Sequence, residues 1–182
     1  IPLALVSISI ILFSCRMLAV YDIGFHLRGG QWILQNHAFP DKDVYTYTVN
    51  QNDYIDLHWL YQVLIYAVHE AAGFEGISIM NSCLIAGMFL LMLKFMMIRG
   101  MPCGWYAVTL LTANVMMEIR YNARPEIFSW IFVFLFLLAL DRYRLQQTKQ
   151  LHLLPLGMVL WVNTQGLFVL GLGITGAYCV SA

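Results

Sequence analysis

The sequence predicts an all-α, polytopic integral membrane protein with about six transmembrane helices. Of its 182 residues, 60% are hydrophobic and 11% are charged, and the mean hydropathy is +0.70, which lies outside the range of soluble domains. Several apolar runs approach the roughly 20 residues that a helix needs to cross the hydrocarbon core. A polar stretch, residues 21–61, separates the first of these runs from the rest. We therefore expect residues 1–182 to form one transmembrane domain whose first loop is residues 21–61.

The apolar runs define the predicted spans. The last run is too long for one ordinary span, and the polar residues 163–166 inside it predict either two helices or a re-entrant turn. Because the chain begins without Met and ends inside an apolar run, we expect it to be part of a longer protein. The runs, in order along the chain, are residues 1–20, 76–93, 101–117, 125–140 and 151–182.

Two segments of the predicted membrane domain have the pattern of amphipathic helices. Residues 57–72 place apolar side chains at helical spacing, with histidine, glutamine and glutamate on much of the other face. A helix of this kind is expected to lie in the plane of the membrane interface. Residues 26–35 form a shorter candidate, which is weakened by Gly29 and Gly30.

The basic residues predict the orientation of the chain. Lys94 and Arg99 end one span, and a basic loop with Arg142 and Arg144 follows another, so these ends are expected to face the cytoplasm. The polar loop at residues 21–61 is then extracytoplasmic. Alternation of the spans places the turns at residues 118–126 and 163–166 on the same outer side.

Charge balance and motif spacing exclude several classes of partner. Lys plus Arg and Asp plus Glu are equal at 10 each, so the chain offers no basic field for nucleic acid. Membrane lipids are the expected surroundings. The sequence has no HExxH or CxxC spacing, which argues against a structural metal site. A loosely held divalent cation such as Mg or Mn on Asp22 and Asp43 is still compatible with the pattern, since hard oxygen ligands can come from distant loop positions.

The outer segments combine side chains suited to a sugar phosphate. Carboxylates supply a general base, guanidinium groups bind phosphate in a bidentate manner, and amides orient sugar hydroxyls. We expect substrate-binding residues in all three outer segments. They are His26, Arg120, Arg124, Glu126, Asn163 and Gln165.

Short sequence blocks in these segments resemble the C-type polytopic membrane glycosyltransferases, in particular the bacterial protein mannosyltransferase and lipid-linked-sugar transferase group. The blocks occur in the expected order over roughly residues 22–171. They are DIGFHLRGGQWIL at 22–34, FPDKDVYTYT at 39–48, DLHWL at 56–60, RPEIFS at 124–129 and WVNTQGLFVLG at 161–171.

The resemblance implies a transferase of the bacterial inner membrane that moves a sugar from a polyprenyl-phosphate carrier to an extracytoplasmic acceptor. It implies that Asp22 is the catalytic base or acceptor-binding group and that Asp43 orients the substrate or a divalent cation. Arg120 and Arg124 would bind the carrier phosphate, and Asn163 would contact the sugar or the acceptor.

Two positions depart from the family pattern. His58 stands where an acidic residue is expected, and Gln165 stands where histidine is expected. His58 is suited to act as a base near neutral pH, so we include it among the catalytic candidates. The same departures favour an alternative, a catalytically inactive scaffold subunit of a larger membrane complex with protein partners. A second alternative is a transporter in which residues 163–166 interrupt a discontinuous helix.

Overall fold

The computed structural model describes residues 22–46, 52–146 and 150–181, and 80% of them are helical. No named strand occurs in this part of the chain, so the all-α prediction is confirmed. The predicted span at residues 1–20 lies outside the described residues. The α-helices are α1 Ile23–Asn36, α2 Trp59–Ile98, α3 Gly104–Met117, α4 Glu126–Gln146, α5 Leu153–Thr164 and α6 Val169–Val180.

Helix α2 contains a break that divides it into two parts. Ala72 and Gly73 leave the helical conformation, and Gly73 adopts φ 63° and ψ −158°, a region that is accessible essentially to glycine alone. We call residues 59–71 α2a and residues 74–98 α2b. The break lies next to the boundary that the sequence suggests between an amphipathic helix at 57–72 and a span at 76–93.

Helices α2b and α4 run in the same direction, and α3 returns between them. Near one end, the Asn81 side-chain amide donates to the Tyr121 carbonyl at 2.9 Å. Near the other end, Arg99 lies 3.1 Å from the Asp141 carboxylate. The earlier residue of one segment contacts the earlier residue of the other, and the later residue contacts the later one, so the two helices are parallel.

Helices α5 and α6 continue the up-and-down arrangement. The Trp161 indole of α5 donates to the Ser129 hydroxyl near the start of α4 at 2.9 Å. The Tyr178 hydroxyl of α6 donates to Asp141 near the end of α4 at 2.5 Å. The turns at residues 118–125 and 165–168 therefore lie at the same end of the helices as α1 and α2a, and the basic ends of α2 and α4 lie at the opposite end.

Only some of the large apolar side chains of the helices are buried against one another. One buried cluster joins α2b, α3 and α4 around Ile85, Met88, Phe89 and Ile127. Large apolar side chains also remain exposed along α3, α5 and α6, including Met116, Leu156 and Val169. Exposed apolar side chains of this kind are costly in water and favourable in lipid.

Among the described residues, one helix, Trp59–Ile98, is both long enough and apolar enough to cross a membrane. Two shorter apolar helical segments, Leu153–Thr164 and Gly166–Val180, have fewer than 18 residues. The structure thus contains one candidate span by length and composition, where the sequence suggests about six in the whole chain.

Candidate functional site

A cavity of about 440 Å³ opens where α1, the start of α2, the start of α4 and the end of α5 meet. It is formed by four stretches of the chain that are far apart in sequence. Six of the nine predicted site residues line it, namely Asp22, His26, His58, Arg124, Glu126 and Gln165. The remaining lining residues are Phe25, Tyr54, Ile55, Leu57 and Pro125.

Two glycines allow α1 to reach this position. A Cβ atom at Gly29 would lie 1.8 Å from the Gln62 side-chain oxygen, and one at Gly30 would lie 2.1 Å from the Gln62 carbonyl oxygen. Both distances are far below van der Waals contact. A larger residue at Gly29 would displace the Gln62 side chain, and one at Gly30 would push α1 away from the α2a backbone. Gly29 and Gly30, which weaken the helix pattern in the sequence, permit this close contact. It places His26, one turn earlier, over the ring of Tyr61 with the centroids 5.0 Å apart.

An ion pair links the two walls of the cavity. A terminal nitrogen of Arg124 lies 2.7 Å from a carboxylate oxygen of Asp22, and both side chains remain partly exposed. The Nε atom of Arg124 is buried and has no hydrogen-bond partner in the described part of the protein. Because a guanidinium group has five N–H donors, Arg124 retains the capacity to bind a further anion.

His26 and His58 both line the cavity, and their rings make an edge-on contact with the centroids 6.1 Å apart. The pKa of His26 is lowered to about 4, first by burial and then by the neighbouring His58, with a smaller contribution from Arg124; Asp22 acts in the opposite direction. His26 is therefore neutral at physiological pH. Its Nδ1 atom is buried without a hydrogen-bond partner in the part of the chain that the structure describes.

Asp56 holds the segment that carries His58 in place through hydrogen bonds. One of its oxygens accepts from the backbone N–H of His58 at 2.9 Å and from the Gln62 amide at 3.1 Å. Its other oxygen is buried without a partner among the described residues. Burial raises the pKa of Asp56, although the hydrogen bonds and His58 oppose the shift. The carboxylate thus holds the start of α2a in place, a role that the sequence analysis did not assign to it.

Asp43 does not line the cavity. Its carboxylate accepts from the backbone N–H groups of Tyr45 at 2.8 Å and Thr46 at 3.1 Å, and from the Thr46 hydroxyl. These hydrogen bonds, led by that from the Thr46 hydroxyl, lower the pKa of Asp43. The pattern is an Asx-type turn, so the carboxylate is used to shape the outer loop.

Asn163 is likewise outside the cavity and engaged in local structure. Its side-chain oxygen accepts from the Trp59 indole at 2.8 Å, and its nitrogen donates to the Val159 carbonyl at 2.7 Å. The first contact ties the end of α5 to the start of α2a. Asn163 therefore helps to assemble the walls of the cavity.

Arg120 and Gln165 have partners of their own. Arg120 does not line the cavity and lies 3.3 Å from Glu126, which does. Gln165 lines the cavity, and its side-chain oxygen accepts from the Leu167 backbone N–H at 3.2 Å. Arg120 is thus placed to orient Glu126, while Gln165 shapes the turn between α5 and α6.

The predicted loose cation site on Asp22 and Asp43 does not fit the geometry. Asp22 lines the cavity and pairs with Arg124, whereas Asp43 is held in its own turn. Residues 22–46, 52–146 and 150–181 contain no group of three or more His, Cys, Asp or Glu that could hold a metal ion.

The lining residues that sequence reasoning missed are mostly apolar or aromatic. Phe25, Tyr54 and Leu57 each precede or follow a predicted polar residue by one to four positions. Their chemistry gives no signal of its own, because apolar and aromatic side chains are common in any interface segment.

Comparisons of the chain with protein-family models, curated proteins and solved structures find no match.

Proposed function

We propose that this protein is a membrane glycosyltransferase that moves a sugar from a polyprenyl-phosphate carrier to an acceptor on the extracytoplasmic side. The observation that carries this proposal is the cavity, in which two carboxylates, two histidines and an arginine come together from distant parts of the chain. A general base and a cationic phosphate contact in one pocket are the groups that such a transfer requires.

The ion pair between Asp22 and Arg124 suggests how the site works. When the donor enters, its phosphate replaces Asp22 as the partner of Arg124, which binds phosphate more effectively because it offers several parallel donors. Asp22 is then free to accept the proton of the acceptor hydroxyl. The acceptor oxygen attacks the anomeric carbon, the bond from that carbon to the phosphate oxygen breaks, and Arg124 stabilises the departing polyprenyl phosphate.

His58 and Glu126 complete the proposed site. His58 lines the cavity and has its backbone N–H fixed by Asp56, so its imidazole is positioned to hold or relay a proton. Glu126, held by Arg120, is suited to accept hydrogen bonds from sugar hydroxyls. Asp43, which does not reach the cavity, has no part in the proposed chemistry.

The proposal includes about six transmembrane helices, of which one is a candidate span by length and composition. Helix α4 has 21 residues, enough to cross a bilayer, and its charged residues lie near its two ends. The basic residues Lys94, Arg99, Arg142 and Arg144 lie at the end of the helices opposite the cavity, which supports a cytoplasmic position for that end. The cavity would then open to the extracytoplasmic side of a bacterial inner membrane.

Release of free polyprenyl phosphate tests the function. The full-length protein is reconstituted in liposomes with a panel of polyprenyl-phosphate sugars and an acceptor mixture, and the released carrier is measured. We expect release by the wild type and a decrease of about 10²- to 10⁴-fold for Asp22→Asn, since a general base typically contributes that factor.

Asp41→Asn is the matched control for this experiment. Asp41 lies in the same outer loop, is exposed and does not line the cavity, so its substitution should leave release unchanged. Equal losses in the two variants, or full activity of Asp22→Asn, would remove Asp22 from the mechanism. Absence of release by the wild type from every donor would overturn the transferase proposal.

A specific observation favours the scaffold alternative over the transporter. The charged side chains of the cavity are paired with one another, Asp22 with Arg124 and Glu126 with Arg120, as in a site kept for structure. If the protein is a scaffold, purification in mild detergent should recover it in fixed stoichiometry with other chains, and the Asp22→Asn variant should retain that assembly.

A further inference from the structure

A second cavity, of about 380 Å³, lies between the end of α2b, the second half of α4 and the first half of α5. Its walls are almost entirely apolar, with Phe132, Leu135 and Phe136 from α4 and Leu156 and Leu160 from α5. It occupies the part of the helices away from the first cavity. The residues of the proposed transferase site do not contribute to it.

Two cationic side chains lie at one end of this groove. Lys94 is the last lining residue on α2b and Arg142 is the last on α4, while Leu153 is the first on α5, which runs antiparallel to α4. All three positions are therefore at the same end. From Phe132 to Arg142 the groove extends about 15 Å along α4, at a rise of about 1.5 Å per residue.

These two cations have no anionic partner within the described residues. The Nε atom of Arg142 is buried without a hydrogen-bond partner there, although burying a polar donor without a partner is costly. The neighbouring carboxylate, Asp141, is engaged by Arg99 and by the Tyr178 hydroxyl. An apolar groove that ends in two unpaired cations is complementary to a molecule with a hydrocarbon tail and an anionic head.

We propose that this groove binds one anionic phospholipid of the surrounding bilayer, with an acyl chain against the α4 and α5 side chains and its phosphate between Lys94 and Arg142. Lysine and arginine side chains near the ends of membrane helices extend toward lipid head groups. The site is on the end of the helices that carries the basic residues, so the lipid comes from the leaflet opposite the transferase cavity. The inference rests on the proposed membrane placement and is independent of sugar transfer.

Lipid retention by the purified full-length protein tests the proposal. The protein is exchanged into mild detergent, mixed with phosphatidylglycerol or phosphatidylcholine of identical acyl chains, and examined by native mass spectrometry. We expect selective retention of one phosphatidylglycerol, and a loss of about fivefold in its apparent affinity for each cation removed in Lys94→Gln and Arg142→Gln. Phosphatidylcholine retention should change little.

Two further variants keep the result interpretable. Arg28→Gln removes an exposed cation of α1, away from the groove, and should retain the wild-type preference. Leu156→Trp keeps both cations but fills the groove from a largely exposed position, and should weaken retention of both lipids. The site is refuted by equal retention of the two lipids by the wild type, by unchanged preference in the Lys94→Gln, Arg142→Gln double variant, or by an equal loss in Arg28→Gln. Because no sugar donor is used, failure here leaves the transferase test unaffected, and the reverse also holds.

Discussion

At the scale of single residues, the environment of His26 shows how the fold sets the chemistry of the cavity. The side chain is 6% exposed and lies against Tyr61 and His58, and the charges of Asp22 and Arg124 also act on it. Burial disfavours the imidazolium form, and His58 and Arg124 add to this effect. His26 is consequently a neutral hydrogen-bonding group, and the proton-carrying role in the proposed mechanism is left to Asp22 and His58.

The lowered pKa of His26 predicts that the fold is sensitive to mild acid. Its folded-state pKa of about 4 lies below the ordinary value of 6.5. Between pH 6.5 and pH 4, the His26 imidazole is therefore protonated more readily in the unfolded chain than in the folded one. The stabilisation from neutral His26 is complete above pH 6.5 and is lost as the pH falls toward 4. Linkage gives a loss of about 3 kcal/mol over that window.

Thermal unfolding in detergent from pH 7 to pH 4.5 measures this effect. The wild type should lose more stability over this range than His26→Asn, which no longer titrates there. His37→Asn is the matched control, because His37 is exposed and has a positive φ of 51° that asparagine tolerates well. Parallel pH profiles for the wild type and His26→Asn would show that His26 does not titrate on unfolding in this range.

At the scale of helices, the contact between α1 and α2a decides whether the cavity exists. At Gly30 the helix lies so close to the Gln62 backbone that no larger residue fits, and at Gly29 it lies against the Gln62 side chain. Tyr61 of α2a, one position before Gln62, donates to the Ala123 carbonyl at 2.8 Å, so α2a also fixes the segment that carries Arg124. Displacement of α1 would therefore separate Asp22 from Arg124.

Gly30→Ala should break this arrangement. Its new methyl group would lie 2.1 Å from a backbone oxygen, which cannot move without moving α2a, so we expect a loss of about 1–3 kcal/mol, as for other overpacked positions. Thermal unfolding and protease sensitivity of the loop before α2a are the measurements. Gly24→Ala, in the same helix but with no atom within 4 Å of its new methyl group, should be neutral or stabilise the helix by up to about 1 kcal/mol. Equal effects of the two variants would mean that propensity, and not close packing, explains the result.

How much of this arrangement can be predicted from sequence differs between its parts. The all-α class follows from composition and apolar periodicity, which depend on each segment alone. The position of the break in α2 is suggested by the change from amphipathic to apolar pattern near Gly73. The roles of Asp43 and Asn163 could not be predicted in this way, because turn formation at Thr46 and the contact with Trp59 depend on local geometry and on residues about 100 positions apart. Asp56 was overlooked for a similar reason, since its function is to hold backbone that only the folded chain brings to the cavity.

At the scale of the whole molecule, one carboxylate joins three helices at the end opposite the cavity. Asp141 of α4 is fully buried and contacts Arg99, just after α2, and Tyr178 of α6. Breaking a buried pair normally costs several kcal/mol, because the remaining charge is left without a partner. Here Arg99 is about half exposed and regains water, which reduces the cost.

We therefore expect Asp141→Asn to lower the free energy of unfolding by about 1–3 kcal/mol, and Tyr178→Phe by about 1 kcal/mol, as for one hydrogen bond. Denaturant or thermal unfolding in detergent measures both. Asp53→Asn removes an exposed carboxylate that pairs with Lys42 and should change stability by less than about 0.5 kcal/mol. If Asp141→Asn were as mild as Asp53→Asn, the helices would be held together at this end by apolar packing alone.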